Sequence, residues 1–280
     1  MDFSSLAPCR YCVIGDPVDH SQSPAMQNAA FTAYQMGEPY GKCRVRLAEI
    51  DDFFAFARDH LQGVNITVPL KEVAAQKADE IGKFAEATNS VNTLKISGGK
   101  ISGESTDGEG VLRALKETLH FSPQGKNILF LGAGGAARAA SFALAFKGAK
   151  SIVLLNRTME RAKILTTQLQ NHFPQLESAA ASYGDTAEIK RFFSDADLVI
   201  QSTALGWHDD DPPILEIPET NAAFFDFVYR DTPFLRTARQ RGLAAADGKT
   251  MLLHQGAASF EIWTGKTAPL DAMRRALGLI

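Results

Sequence analysis

This sequence predicts a two-part α/β fold, on three observations. Strand-length apolar runs alternate with helix-length segments from Tyr11 onward. The apolar run 127–131 ends in Gly132, Gly134 and Ala137, the G-x-G-x-x-A spacing of a strand, tight turn and helix built to receive a dinucleotide pyrophosphate. With 280 residues and 45% hydrophobic content, the chain can fill one large core or two modest ones, and two domains of about 100 to 150 residues match ordinary sizes.

Taken in order, Tyr11-Cys12-Val13-Ile14 reads as a first strand closed by Gly15-Asp16-Pro17. A helix runs from Ser23-Pro24 through residue 34, with Ser23 as its cap and Pro24 at the first helical position. Residues 42–47 read as a second strand, 50–60 as a helix, 63–68 as a third strand broken by Pro69, and 72–81 as a further helix. The segments 91–96 and 100–102, joined across Gly98-Gly99, read as a hairpin at the sheet edge. A helix over 110–119 leads into the nucleotide-binding stretch, with strands at 127–131, 151–155, 198–200 and 224–228 and a helix over 138–146. A short strand at 244–246 and a helix over 251–263, entered through Asp247-Gly248, follow. The expected division is a substrate-binding α/β domain of residues 1–106 plus 250–280 and a Rossmann-type domain of residues 107–249, with ligands in the cleft between them.

The second nucleotide-domain strand tells which dinucleotide. An NAD site carries an acid about 20 residues past the glycines, on the ribose hydroxyls. Here the strand ends in Asn156-Arg157-Thr158, with Arg161 in the next helical turn. A cation in a first turn opposes the helix dipole unless an anion compensates, and a ribose 2'-phosphate is such an anion. The expected cofactor is therefore NADP(H), although two solvated arginines beside a cap give the same string.

Composition narrows the partners. The net charge is −3 with scattered Lys and Arg, no footprint for nucleic acid or an anionic membrane. No apolar run approaches the ~18 residues of a membrane span, and the first residues do not resemble a secretory signal. The expected partners are small molecules, in the cytoplasm. Cys9, Cys12 and Cys43 are sparse and odd in number; Cys9 and Cys12 form a C-x-x-C, but no second Cys or His pair at ligand spacing accompanies it, so no metal is expected.

Several residues can carry chemistry, and each has a plainer reading. Ser21 and Ser23 place two hydroxyls at a helix N-terminus, suited to a carboxylate, or serve only as turn and cap. Asn65, Thr67 and Lys71 gather at the end of one strand. A lysine in the first turn after Pro69 is opposed by the helix dipole, which suits it to proton transfer; otherwise it is a solvated lysine. Asp107 precedes a helix as a cap or a catalytic carboxylate. Gln255 lies beside Gly256-Ala257-Ala258 on an otherwise apolar face, and Tyr229, at the end of strand 224–228, is a ligand contact or a packing residue.

Strung together, these segments resemble the shikimate dehydrogenases, over nearly the whole chain. The marks are Gly15-Asp16-Pro17, His20-Ser21-Gln22-Ser23-Pro24, Asn65-Ile66-Thr67-Val68-Pro69-Leu70-Lys71, Val91-Asn92-Thr93, Thr106-Asp107-Gly108, the glycine turn, Asn156-Arg157-Thr158 and His254-Gln255-Gly256-Ala257. The resemblance implies reversible NADPH reduction of 3-dehydroshikimate to shikimate, in aromatic amino-acid biosynthesis, by a monomer or homodimer. It implies Lys71 and Asp107 as the catalytic pair. Ser21, Ser23 and Thr67 would hold the substrate carboxylate with Tyr229 nearby, and Asn65, Asn92 and Gln255 its hydroxyls. NADP contacts would fall on Gly132, Ala133, Gly134, Gly135, Ala136, Asn156, Arg157, Thr158, Arg161, Thr203, Phe227 and Gly248. The chain departs from the usual family pattern at Asn89-Ser90, for Gly-Ala, at Ser105 and Gln201, each for Asn, and at Phe227, often Met. The competing readings are a quinate/shikimate dehydrogenase that uses NAD and a non-catalytic NADP or shikimate sensor.

Overall fold

The computed structural model describes Phe3, Leu6 and residues 8–37, 39–184, 186–208 and 210–280. The chain forms two compact units, Met1–Gly110 with Leu252–Ile280, and Val111–Met251. The boundaries fall inside two helices, α5 (Asp107–Leu119) and α10 (Lys249–Thr264).

In the first unit six strands form one mixed sheet. In chain order they are β1 (Tyr11–Gly15), β2 (Tyr40–Arg44), β3 (Gly63–Ile66), β4 (Glu80–Ile81), β5 (Thr93–Ser97) and β6 (Lys100–Glu104). Their spatial order is β2-β1-β3-β5-β6-β4. Strands β1, β2 and β3 are parallel, while β5 runs antiparallel to both β3 and β6. β1 is apolar at every position because it is covered on both sides. Cys12 and Ile14 join a core with Phe53, Phe54 and Ala57 of α2 (Ile50–His60). Tyr11 and Val13 face a second core with Met26, Ala30 and Phe31 of α1 (Ser23–Ala33), Leu253 and Phe260 of α10, and Met273 of α11 (Leu270–Ala276).

The topology decides where the loops emerge. The C-terminal ends of β1, β3 and β6 and the N-terminal end of β5 lie along one rim, since Ile14 is level with Ile66, Asn65 with Thr93, and Thr93 with Glu104. Four loops, carrying residues 16–22, 67–70, 89–92 and 105–106, are thereby collected at a single edge.

Five expectations need correction here. α1 starts at Ser23 itself; Gln22 occupies the cap position and no side chain caps the helix, so Ser23 is not a cap. β2 spans Tyr40–Arg44, not 42–47, because it pairs in register with the five residues of β1. β3 ends at Ile66, where the chain turns after Thr67 donates its N–H to the Ile14 carbonyl at 2.9 Å. The helix expected over 72–81 stops early: α3 covers Lys71–Lys77 and residues Glu80–Ile81 become β4. Asp79 causes the switch, exchanging backbone bonds with Ile101 at 2.9 and 2.7 Å through its N–H and carboxylate and so drawing the chain onto β6. For the same reason the β5–β6 hairpin is not the sheet edge, which β4 takes. Helix α4 (Lys83–Thr88) was not foreseen.

The second unit is a parallel sheet of β7 (Asn127–Leu131), β8 (Ser151–Leu155), β9 (Glu177–Ala181), β10 (Leu198–Gln201), β11 (Ala223–Asp226) and β12 (Ala245–Ala246). Its order, β12-β11-β10-β7-β8-β9, is the doubly wound arrangement in which the chain reverses direction between its first and fourth strands. The helices are α6 (Gly135–Phe146), α7 (Met159–His172), α8 (Thr186–Asp195) and α9 (Pro233–Gln240). α6 starts three residues earlier than expected, directly on the glycine turn. β9, α8 and α9 were not foreseen. β11 stops at Asp226, so Tyr229 does not end a strand. Among the described residues, no helix is long and apolar enough to cross a membrane, and no group of three or more His, Cys, Asp or Glu side chains is placed to hold a metal ion.

Candidate active site

On the rim of the first unit, Lys71 opens α3 and Asp107 opens α5. The Lys71 ammonium donates to Asp107 Oδ2 at 2.5 Å, with side-chain exposures of 14% and 6%. Lys71 is therefore not the solvated lysine of the plainer reading. The other carboxylate oxygen is also occupied: Asn92 Nδ2 donates to Asp107 Oδ1 at 2.8 Å. With an ammonium on one oxygen and an amide on the other, the carboxylate plane is fixed and its charge is compensated. Such a pair presents a partly exposed ammonium in a defined place, which is what a proton donor requires.

Asn92 is itself held. Its Oδ1 accepts from the Thr106 N–H at 2.8 Å and the Thr93 hydroxyl at 3.1 Å, while Nδ2 also reaches the Thr106 hydroxyl at 2.9 Å and Gln255 Oε1 at 3.4 Å. Gln255 points its Nε2 at the Leu252 carbonyl, 2.9 Å away within α10. Asn65, on β3, is buried and bonded to Tyr40, Ser259 and the Asn92 carbonyl. Lys71, Asp107, Asn92, Gln255 and Asn65 thus form one connected polar cluster.

Ser21, Ser23 and Thr67 stand on the same rim by topology. Ser21 Oγ accepts the Ser23 N–H at 3.3 Å, leaving its own hydroxyl hydrogen for an anion. Thr67 packs on Gly15: a Cβ there would lie 2.3 Å from Thr67 Cγ2, so only glycine admits the threonine in this position. Of the supporting residues, Thr93 and Thr106 stand inside the strings Val91-Asn92-Thr93 and Thr106-Asp107-Gly108, while nothing local marks Tyr40. Ser259, one helical turn after Gln255, was the one open to discovery by spacing.

In the second unit, Gly132 ends β7 with φ +113°, and a Cβ there would meet Ser202 Oγ at 2.8 Å and Thr203 Cγ2 at 3.0 Å. The turn consequently lies against the loop after β10, where the sheet reverses direction. Gly134 and Gly135 have nothing within 4 Å of where a Cβ would stand, and no side chain caps α6. That leaves open backbone and unpaired helix N–H groups for a pyrophosphate, flanked by Ala133 and Ala136. Arg157 and Arg161 are exposed and have no ion-pair partner among the described residues, and Thr158 is the cap residue of α7, its carbonyl held by Asn156 Nδ2 at 2.8 Å. Free cations beside an open glycine turn fit a phosphorylated dinucleotide.

Asp226, at the end of β11, accepts from the Val228 N–H at 2.9 Å and the Thr232 hydroxyl at 2.7 Å, and so holds the segment that carries Phe227 and Tyr229. Burial pushes its carboxyl up to about 7, with nearby Asp247 acting in the same direction against those two hydrogen bonds. Phe227 sits edge-on to Phe225 at 5.9 Å, and Tyr229 is T-shaped on Trp207 at 4.6 Å. Gly248 abuts Phe227: a Cβ would come 2.3 Å from the Phe227 carbonyl oxygen.

Residues 13–94 match a family model described as the shikimate dehydrogenase substrate binding domain, residues 114–206 one for shikimate / quinate 5-dehydrogenase, and residues 248–277 the shikimate 5'-dehydrogenase C-terminal domain. The shikimate dehydrogenase (NADP(+)) of Methanopyrus kandleri is 41% identical over 272 residues, spanning 95% of this chain and 93% of that protein. The chain belongs to the shikimate dehydrogenase family. Among solved structures, shikimate dehydrogenase from Aquifex aeolicus aligns with a TM-score of 0.87 at 32% identity, covering 99% of both chains. The Thermus thermophilus shikimate 5-dehydrogenase, solved in complex with NADP(H) and shikimate, aligns with a TM-score of 0.84 at 33% identity over 97% of this chain and 99% of that one.

Against that family's usual pattern, two departures acquire a physical account. Asn89 has φ +44°, a left-handed conformation that glycine takes freely and asparagine tolerates better than other side chains. Gln201 folds back on its own loop, donating to the Leu205 carbonyl at 2.7 Å and accepting from the Thr203 N–H. Ser90 and Ser105 place buried hydroxyls without hydrogen-bond partners, and nothing in the structure explains them.

Proposed function

We propose that this chain is an NADP-dependent shikimate dehydrogenase, reducing the ketone of 3-dehydroshikimate reversibly to the hydroxyl of shikimate. The observation that carries the reading is the Lys71–Asp107–Asn92 arrangement, a partly exposed ammonium held by a carboxylate that is itself held by an amide.

When bound, NADPH supplies the hydride. Negative charge then grows on the former ketone oxygen, and Lys71 is the group that meets it, giving its Nζ proton to form the hydroxyl. Asp107 keeps the lysine aimed and, through Asn92, is kept from turning away. In the reverse direction the neutral amine of Lys71 would take the hydroxyl proton, and NADP+, when bound, would accept the hydride. The hydroxyls of Ser21, Ser23 and Thr67 take the substrate carboxylate, and Asn65 and Gln255 take ring hydroxyls. Tyr229 and Phe227 belong to the segment braced by Asp226. Arg157 and Arg161 hold the 2'-phosphate, while the backbone at Gly132, Gly134 and Gly135 accommodates the pyrophosphate.

The test is consumption of NADPH, followed by its absorbance, on adding 3-dehydroshikimate to the purified protein, with NADH as a comparison, and in the reverse direction reduction of NADP+ by shikimate against quinate. Turnover with NADPH and shikimate-series substrates is expected. No turnover, or more than a tenfold preference for NAD, would overturn the corresponding part of the reading.

A further inference from the structure

Beneath the rim of the first unit, the donor and acceptor roles around Asn65 can be fixed one after another. Asn65 Nδ2 lies 3.2 Å from the main-chain carbonyl of Asn92, and only an N–H can face a carbonyl oxygen, so the amide cannot be flipped. Nδ2 also lies 3.0 Å from Ser259 Oγ. Ser259 Oγ lies 3.0 Å from the Gln255 carbonyl and 2.8 Å from the Thr93 hydroxyl, and toward the fixed Asn65 N–H it is an acceptor. Asn65 Oδ1 then faces the Tyr40 hydroxyl at 2.7 Å, and Tyr40 must donate. Tyr40 is buried against Tyr11 and Trp263 and its ionisation is pushed well above the usual tyrosine range by desolvation, so it stays a neutral O–H donor at every physiological pH.

The count of bonding positions follows. An asparagine amide has two N–H groups and two oxygen lone pairs. Both N–H groups of Asn65 are committed, shared among the Asn92 carbonyl, Ser259 and the Thr93 hydroxyl at 3.3 Å, and one lone pair is committed to Tyr40. One lone pair is left.

We infer that Tyr40 and Ser259 are positioning residues that, together with the Asn92 carbonyl, hold Asn65 as an acceptor only, so that this site admits a ring hydroxyl as a donor and discriminates against a substrate lacking it. The inference rests on the proposed activity and on Asn65 as a hydroxyl contact. It adds how the hydroxyl is read and which side chains, neither of them reaching the substrate, set that reading.

The test compares shikimate with its 4-deoxy and 5-deoxy analogues, using wild type, Tyr40→Phe and Ser259→Ala, with NADP+ saturating. Wild type should lose roughly tenfold in kcat/KM for one of the two analogues, the value of one hydrogen bond between neutral groups. In Tyr40→Phe, Asn65 keeps its Nδ2 bonds but loses the one that fixes its oxygen. KM for shikimate should rise by roughly tenfold with kcat within about threefold of wild type, and the discrimination should vanish, because the analogue has no hydroxyl contact to lose. Ser259→Ala should do the same more weakly, by about threefold, and serves if Tyr40→Phe does not fold. A merely structural role would lower kcat/KM equally for all three substrates, which overturns the inference. So does full discrimination retained in both variants, or no discrimination by wild type. If wild type turns over no shikimate at all, the proposed activity itself fails and the inference falls with it; the other outcomes leave that activity standing.

Discussion

The substrate-side rim of the first unit and the glycine turn of the second solve opposite problems. In the first, the polar cluster around Asn92 is already bonded within the protein: Asp107 uses both oxygens, and Asn92 and Asn65 use almost their whole capacity. In the second, the informative feature is what is withheld, since Gly134 and Gly135 face open space and Arg157 and Arg161 lack counter-ions among the described residues. A small ring with one carboxylate and a few hydroxyls is best gripped by groups that cannot move. A long polyanion supplies its own strong electrostatics and needs only room and free positive charge.

That contrast can be broken by substitutions on either side. The largest effect is expected from Lys71→Ala, which removes the proton donor. kcat should fall by roughly 10²- to 10⁴-fold, the usual contribution of a positioned acid, while shikimate binding measured by calorimetry stays within about threefold of wild type. Unchanged turnover would refute the role of Lys71.

Next in size is Gly134→Val. Its backbone is extended (φ −88°, ψ −174°) and nothing stands near the position of the new Cβ, so folding should tolerate the change. The melting temperature should stay within a couple of degrees, but KM for NADPH should rise at least ~10-fold, because the branched side chain enters the space left for the pyrophosphate. Asn92→Ala should behave in the opposite way, losing stability as well as activity. It removes the amide from a buried carboxylate and strips partners from Thr106, a cost of about 1–3 kcal/mol readable from urea denaturation. If the two variants gave the same pattern, the contrast between committed and open sites would be wrong.

Arg157→Ala should cost roughly tenfold in kcat/KM with NADPH and almost nothing with NADH, and the double variant with Arg161→Ala more. Equal losses with both cofactors would mean that these arginines do not meet the 2'-phosphate.

A change of pH, which leaves the site chemistry aside, sharpens the picture of Asp226. Its carboxyl is raised from 3.8 to about 7 by burial. Below the lower value both folded and unfolded chains carry the proton. As pH rises between the two, the unfolded chain ionises while the folded one still holds its proton, so this group's contribution to stability declines and is gone above about 7. At ~1.4 kcal/mol for each pH unit in that window, the contribution is on the order of 4 kcal/mol. Asp226→Asn should flatten this slope. The urea midpoint of the variant should gain on that of wild type between pH 4.5 and 7.5, and parallel pH curves would show that Asp226 does not retain its proton.

The sequence made the local features legible and left the tertiary ones obscure. The glycine turn, α2, β7 and β8 carried strong local patterns, and Lys71 and Asp107 stood in recognisable strings. β9 and β4 did not announce themselves. The alanine-rich 177–181 segment lacks the branched side chains that mark strands, and Glu80–Ile81 becomes a strand only because Asp79 is captured by a backbone 22 residues away. Ser23 was misread as a cap because a serine before proline carries the signature of a helix start wherever the helix begins. Tyr40 could not be found, since its partner lies 25 residues on, across two strands, and its own neighbourhood holds nothing but an ordinary strand beginning.

Trp263 has a consequence for how the molecule is made. Its indole N–H donates to the Leu94 carbonyl at 2.8 Å, and its ring covers Tyr11 and Tyr40, so the sheet laid down earliest is closed by one of the last helices. On a ribosome adding about 5–20 residues each second, the contiguous nucleotide unit has all its own strands before that indole leaves the exit tunnel. The β1 face of the first unit must wait, covered by α1 but not by α10, until the whole nucleotide unit has been made.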